Sequence, residues 1–272
     1  MRILVTGKNG QLGRSIYKLI NTEVKADNNL SSSKFIFVGR EELDLSNNSS
    51  IINYFDNHDK FDIIINCAAY TAVDKAEEEQ ELANQINHLA VKQLASIANK
   101  QQARLIHIST DYVFDGENFK PYCEDDTTNP NGVYGITKLD GEKAMQEINP
   151  LNSIIIRTSW VYSSVGANFV KTMLRLGRER DSLGVIFDQV GTPTYARDLA
   201  KAILDILVNI KNEKVEIYNY SNEGVLSWYD FAKEIMRMAK IDCSINPIET
   251  SEYPTPAKRP HFSLLNKSKI KK

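Results

Sequence analysis

The chain has 272 residues, 42% hydrophobic and 25% charged, which lies inside the globular range and allows one large core or two smaller ones. Its 33 Lys and Arg against 35 Asp and Glu leave a net charge of -2, so no global field gathers nucleic acid or an anionic membrane, and an anionic ligand has to be held by local groups. The scattered Cys67, Cys123 and Cys243 and the unclustered His58, His88, His107 and His261 fit neither a disulfide framework nor a zinc site; no metal is expected, and a reducing cytoplasm is the expected setting.

The first apolar run, Ile3-Leu4-Val5, is too short for a signal-peptide core, and no later stretch approaches the roughly 18 apolar residues of a membrane span. A chain neither exported nor membrane-embedded is expected. That run reads as a strand, and Phe35-Ile36-Phe37-Val38, Ile63-Ile64-Ile65 and Leu105-Ile106-His107-Ile108 follow it, alternating with amphipathic stretches. Runs apolar on both faces predict parallel strands covered by helices on each side. One helix is predicted to begin near Gln11. A second spans Glu81 to Lys100, with Leu82, Ile86, Leu89, Leu94 and Ile97 near helical spacing, and a third starts near Tyr134 and stops before Asn149-Pro150, ahead of a strand at Ile154-Ile155-Ile156. Beyond it, helices near Asn168 to Arg178, Ala196 to Asn209 and Ser227 to Lys240 alternate with Val185-Ile186-Phe187 and Val215-Glu216-Ile217-Tyr218, and the basic end from Lys267 to Lys272 is predicted to fray. The predicted fold is α/β, a doubly wound parallel sheet of Rossmann type over 1–157 with a smaller, mainly substrate-binding domain over 158–272, strands being free to cross between the two.

Gly7, Gly10 and Gly13 form G-x-x-G-x-x-G between the first strand and the first helix. Gly7 lets the chain turn off the strand, Gly10 lets backbone approach a pyrophosphate, and Gly13 lets the helix pack close to the sheet with its N-terminus facing the anion. The second strand ends at Gly39-Arg40, where an NAD-selective fold would place an acid; Arg40 offers a fork of donors to a 2'-phosphate, with Glu41, Glu42 and Asp44 opposing it. NADPH is therefore the expected cofactor, with NADH accepted too. Asp44 and Leu45 are expected to lie along it.

Tyr134 and Lys138 stand four apart at the start of a helix and so share a face, the arrangement in which an ammonium stabilises a phenolate and readies a proton donor for a carbonyl. Thr110, at the end of an upstream strand, can hydrogen-bond the same substrate oxygen. Tyr229 and Lys233 repeat the spacing without such a partner and are read as packing or surface residues.

Thr6 to Gly13, Asn66-Cys67-Ala68-Ala69-Tyr70-Thr71-Ala72-Val73-Asp74, Ser109-Thr110-Asp111-Tyr112-Val113-Phe114-Asp115-Gly116, Tyr134 to Glu142, Arg157 to Tyr162, Asn168-Phe169, Asp188-Gln189-Val190-Gly191-Thr192-Pro193-Thr194 and Arg259-Pro260 together resemble the successive signatures of the dTDP-4-dehydrorhamnose reductases, of the extended short-chain dehydrogenase/reductase type. The resemblance implies hydride transfer from a reduced nicotinamide to the carbon-4 ketone of dTDP-4-dehydro-L-rhamnose, the last step of dTDP-L-rhamnose synthesis. Under it Thr110 would hold the ketone oxygen, Tyr134 would protonate it, and Lys138 would tune Tyr134 and hold the nicotinamide ribose. Gln11, Leu12, Ala68, Ala69 and Tyr70 would line the cofactor. Asp111, Tyr112, Trp160, Asn168 and Arg259 are the substrate-side candidates, with Trp160 flanking the sugar. The expected partner is a dTDP-linked 4-keto-6-deoxy sugar, bound by a monomer or homodimer without nucleic acid. Members of that family usually continue past the Arg-Pro segment into a short apolar stretch, whereas this chain reaches Lys272 through a run of lysines. Two other readings stay open: a reductase or epimerase of another nucleotide sugar, and a non-catalytic binding subunit such as the regulatory partner of methionine adenosyltransferase, against which Thr110, Tyr134 and Lys138 argue.

Overall fold

The computed structural model describes residues 1–22, 30–207 and 209–272. In chain order the first half comprises β1 (Arg2–Thr6), α1 (Gln11–Thr22), β2 (Lys34–Val38), α2 (Asn48–Asp56), β3 (Ile63–Asn66), α3 (Val73–Ala76), α4 (Gln80–Asn84), a π-helical turn (Gln85–Leu89), α5 (Ala90–Gln101), β4 (Arg104–Thr110), α6 (Val133–Ile148) and β5 (Ile154–Thr158). It continues through β6 (Val161–Tyr162), α7 (Phe169–Glu179), β7 (Ser182–Ile186), β8 (Val190–Gly191), β9 (Thr194–Tyr195), α8 (Ala196–Ile206), β10 (Glu216–Tyr220), β11 (Leu226–Ser227), α9 (Trp228–Ala239) and β12 (Ser244–Ile248).

Six of these strands form one parallel sheet in the order β10-β5-β4-β3-β1-β2. Alternation along each strand explains why the runs are apolar throughout. Leu4, Ile64 and Ile155 face a layer built from α2 and α5, while Ile3, Val5, Ile63, Ile65, Ile154 and Ile156 face α1 and α8. Burying either face alone would leave the other row of isoleucines in water. The strand Val215 to Tyr218 anticipated from sequence is β10, and with α8 it returns from the C-terminal half to complete the sheet and its covering layer. Of the helix anticipated over Ala196 to Asn209, α8 ends at Ile206 and Val208 lies outside the described residues.

A third cluster, around Met173, Leu183, Val185, Ile235 and Met236, joins α7, α9 and the parallel pair β7–β12 into a second unit. Tyr229 packs there, with the Lys233 ammonium 5.3 Å from its ring centre. Among the described residues no helix is long and apolar enough to cross a membrane.

Two expectations are revised. The helix predicted over Glu81 to Lys100 is continuous but not α-helical throughout: it contains the π-helical turn, which carries Asn87 inward to bond the backbone of Tyr70 at both N (2.9 Å) and O (3.0 Å). The basic C-terminus is docked: Lys267 Nζ donates to Asn222 O at 2.9 Å, and Lys269 Nζ donates to Ile217 O at 2.8 Å while lying 4.5 Å from the Tyr218 ring centre. Exposed carbonyls and Glu216 and Glu223 at that sheet edge supply what a lysine run needs.

Candidate active site

From β1 the chain passes through α1 to β2 on one side, then through α2 to β3 on the other. This is the switch at which such a sheet opens a crevice at its C-terminal edge. A cleft of about 800 Å³ lies there.

Gly7 holds φ +70°, and a Cβ on it would stand 2.9 Å from the backbone of Cys67 and Ala68. A side chain at Gly13 would strike the Gly7 carbonyl, so glycine there sets how closely α1 approaches the turn. Gly10 N donates to Gly7 O at 2.9 Å, closing the loop. The N-terminus of α1 faces the cleft through Gly10, Gln11 and Leu12, and its first turn holds no acidic residue to compete with an anion. These features fit the pyrophosphate of a dinucleotide. Ala68 and Ala69 line the cleft beside them, and Arg40, Asp44 and Leu45 line it beyond β2.

Thr110, Asp111, Tyr112, Tyr134, Lys138 and Trp160 line the rest. Thr110 ends β4, and its hydroxyl accepts from Tyr112 N at 3.2 Å and donates to Asp111 Oδ1 at 2.9 Å. Burial pushes the Asp111 carboxyl up to about 6, against the hydrogen bonds of Ser263 and Thr110. Tyr134, on the first turn of α6, meets the Tyr112 ring edge-on at 5.4 Å. The expected lowering of its phenol is absent: burial pushes it up to about 12, with the Thr110 hydroxyl opposing. The Lys138 ammonium is held on the cleft floor by β4, its Nζ donating to Ile108 O at 2.6 Å and standing 3.2 Å from His107 Nε2. Burial lowers its ammonium to about 8, opposed by Glu142.

Trp160 takes a left-handed backbone, φ +48°, uncommon for so bulky a residue. Its indole stacks on Trp228 with ring centres 3.5 Å apart and planes 10° from parallel.

Four residues named from sequence stand beside the cleft. Gly13 lies under the loop. Tyr70 turns its hydroxyl to donate to Glu79 Oε2 at 2.6 Å. Asn168 caps α7 through Lys171 N and donates to Gln11 Oε1 at 2.9 Å, with Gln11 Nε2 donating in turn to Val161 O at 3.2 Å. Arg259 is paired with Asp74. Conversely, Trp228, Gly166 and Ala167 line the cleft without having been named, and Thr71 and Val73 line it from a segment quoted above only for the resemblance. Trp228 follows the helix-start signal Ser227 with Asp230 three residues on, which places it on the first turn of α9; the others carry no chemical signature.

Over residues 1–272 the chain matches the family described as RmlD substrate binding domain. A dTDP-4-dehydrorhamnose reductase of Aggregatibacter actinomycetemcomitans is 42% identical over 278 residues, covering 99% of this chain and 92% of the relative. A solved dTDP-4-dehydrorhamnose reductase from Clostridium acetobutylicum is 43% identical with a TM-score of 0.89, covering 98% of this chain and 90% of that one. Another from Bacillus anthracis, solved in complex with NADP, is 36% identical with a TM-score of 0.89, covering 99% and 92%.

Proposed function

The chain belongs to the dTDP-4-dehydrorhamnose reductase family, and from that premise we infer that it reduces the carbon-4 ketone of dTDP-4-dehydro-L-rhamnose to the alcohol of dTDP-L-rhamnose with NADPH, NADH also serving. The observation that carries the reading is the opening of Thr110, Tyr134 and Lys138 into the same cleft as the Gly7–Gly10 turn. Bound NADPH supplies the hydride. The chain's own work is to hold the ketone and deliver a proton.

With its hydroxyl held near 12, Tyr134 is protonated throughout the neutral range and is a loaded donor. The ketone oxygen becomes far more basic as hydride adds to its carbon, and takes that proton. Thr110, rigid at the end of β4, orients the same oxygen. Lys138 places a positive charge on the cleft floor, where water is excluded and a cation acts strongly on developing negative charge. Trp160 and Trp228 form an aromatic wall suited to an apolar sugar face. The active unit is a monomer or homodimer, without nucleic acid.

The test is NADPH oxidation against a panel of dTDP-, UDP- and GDP-linked 4-keto-6-deoxy sugars. The dTDP-linked ketone is expected to give the highest kcat/KM; faster reduction of a UDP- or GDP-linked analogue refutes the substrate.

A further inference from the structure

Beneath the cleft, three neighbouring strands each carry a buried polar residue near their C-terminal ends: Thr6 on β1, Asn66 on β3 and His107 on β4. They are register partners, Thr6 opposite Asn66 and Asn66 opposite His107. Buried polar groups are costly unless hydrogen-bonded, and these satisfy one another in a row. Thr6 Oγ1 donates to Asn66 Oδ1 at 2.6 Å, Asn66 Nδ2 lies 3.1 Å from His107 Nδ1, and His107 Nε2 lies 3.2 Å from Lys138 Nζ. The row starts one residue before the phosphate loop and ends on the lysine of the proposed site.

Building on the reading of Lys138 as a catalytic residue, we propose that His107 is a positioning residue that holds the Lys138 side chain on the cleft floor and switches ring tautomer with the lysine's charge. An ammonium has three donors and no acceptor, so a charged Lys138 requires a bare Nε2 on His107. The ring proton then sits on Nδ1, and Asn66 must present its oxygen to it. A neutral amine instead accepts from an Nε2–H, leaving Nδ1 to accept from Asn66 Nδ2, the amide orientation found here. Both arrangements satisfy the contacts from Asn66 to Lys138, and they differ by one proton on Lys138, the imidazole tautomer and a turn of the amide, with Thr6 Oγ1 changing from donor to acceptor toward the turned amide. An imidazolium fits neither, because burial and the Lys138 charge hold the His107 pKa well below the usual histidine value.

The groups that bear on Lys138 are His107 from β4 and Glu142 one turn along α6, which favours the ammonium; Tyr134, Asp111 and Cys67 are the titratable groups lining the same cleft. Arg157 on β5 is committed to Glu142. Since burial sets the lysine near 8, the switch falls just above neutrality.

The experiment labels histidine with ¹⁵N in the ligand-free protein and follows the His107 ring nitrogens from about pH 6 to about pH 10. The expected result is conversion from the Nδ1–H to the Nε2–H tautomer, no imidazolium at either end, and a midpoint matching the alkaline limb of kcat/KM; Lys138→Met abolishes the conversion. His107→Gln, whose amide can accept from Nζ and donate to Asn66, is expected to stay within a few-fold of the parent, while His107→Leu loses roughly 10- to 100-fold in kcat/KM and moves the alkaline limb to lower pH. A tautomer constant with pH, or a Leu variant with the parent's rate and limb, overturns the proposal. If the Leu variant does not fold, the titration in the parent decides alone. Failure to reduce any 4-keto sugar refutes the reductase reading, whereas the ring titration needs no substrate and is judged separately.

Discussion

Arg259 and Asp74, 185 positions apart, close a two-point ion pair, Nη1 donating to Oδ1 at 3.0 Å and Nη2 to Oδ2 at 2.6 Å. It ties the C-terminal segment to α3, at the cleft rim. The guanidinium holds the Asp74 carboxyl below its usual range. A carboxylate with a depressed folded pKa stabilises the fold above its unfolded pKa, and that contribution is lost as pH falls through the folded value. Both side chains are partly exposed, so Asp74→Asn should cost no more than about 1 kcal/mol at neutral pH and progressively less as pH falls below about 4. Urea midpoints across that range measure this. Arg259→Ala should match it in stability and in addition raise the KM for the nucleotide sugar roughly 10-fold by removing a cation from the rim; an unchanged KM excludes Arg259 from the substrate side.

Under the proposed role of Tyr134, Tyr134→Phe removes the proton donor while keeping the ring against Tyr112. Turnover should fall roughly 100-fold or more with NADPH affinity retained, measured by steady-state rate and by cofactor titration. Near-normal turnover would assign the proton to another group.

Asp111 offers a pH signature of the opposite sign from Asp74. Burial raises its folded pKa from 3.8 to about 6, so ionisation favours the unfolded chain. Stability present in acid is lost as pH rises between those two values, by at most about 3 kcal/mol. Asp111→Asn should remove that slope. Parallel stability–pH curves for parent and variant would contradict it.

The sheet was readable because its strands are buried on both faces: Ile63-Ile64-Ile65 cannot be placed otherwise, and Gly7 and Gly13 mark a turn that a side chain would obstruct. Tyr134 and Lys138 were readable as a helical pair, but which way Lys138 points was not, since it depends on His107 and the Ile108 carbonyl from another strand. The same limit applies to Tyr70 and Asn168. Each sits in a recognisable segment, yet long-range partners, Asn87 and Gln11, set its placement. Trp228 reaches Trp160 across 68 positions through the packing of α9, and no local pattern encodes that meeting.

Glu142 and Arg157 form a buried ion pair, Nη2 to Oε2 at 2.7 Å, with Arg157 Nη1 donating to Glu124 O at 3.1 Å and the guanidinium 5.0 Å from the Phe114 ring centre. Removing one partner leaves the other charge without compensation. Glu142→Gln should therefore lower the unfolding free energy by roughly 3 kcal/mol or more, whereas a paired Glu142→Met, Arg157→Met variant should recover part of it. A single variant within about 0.5 kcal/mol of the parent in urea unfolding would mean that the pair is solvated in solution.

We propose that cofactor choice rests on Arg40, whose side chain is 74% exposed just after β2 and reaches Asp44 Oδ2 at 3.4 Å and Ser46 Oγ at 3.5 Å, both long contacts. Two of the three acids that could repel a 2'-phosphate are engaged nearby. Glu42 accepts from Gly39 N at 2.8 Å and pairs with Lys8, and Asp44 Oδ1 accepts from Ser46 N and Oγ at 2.9 and 2.7 Å. Arg40 is thus loosely held and can turn toward a phosphate, but an exposed pairing contributes only about 0 to 1 kcal/mol, so a preference for NADPH of several-fold is expected. It should shrink as salt rises, because exposed charges are screened. The measurement is kcat/KM with NADPH and NADH, in the parent and in Arg40→Ala, at low and high ionic strength. Loss of the preference in the variant, with NADH efficiency unchanged, identifies Arg40 as the selector; a parent that strongly prefers NADH, or a variant whose ratio does not move, shows that Arg40 is not the selector.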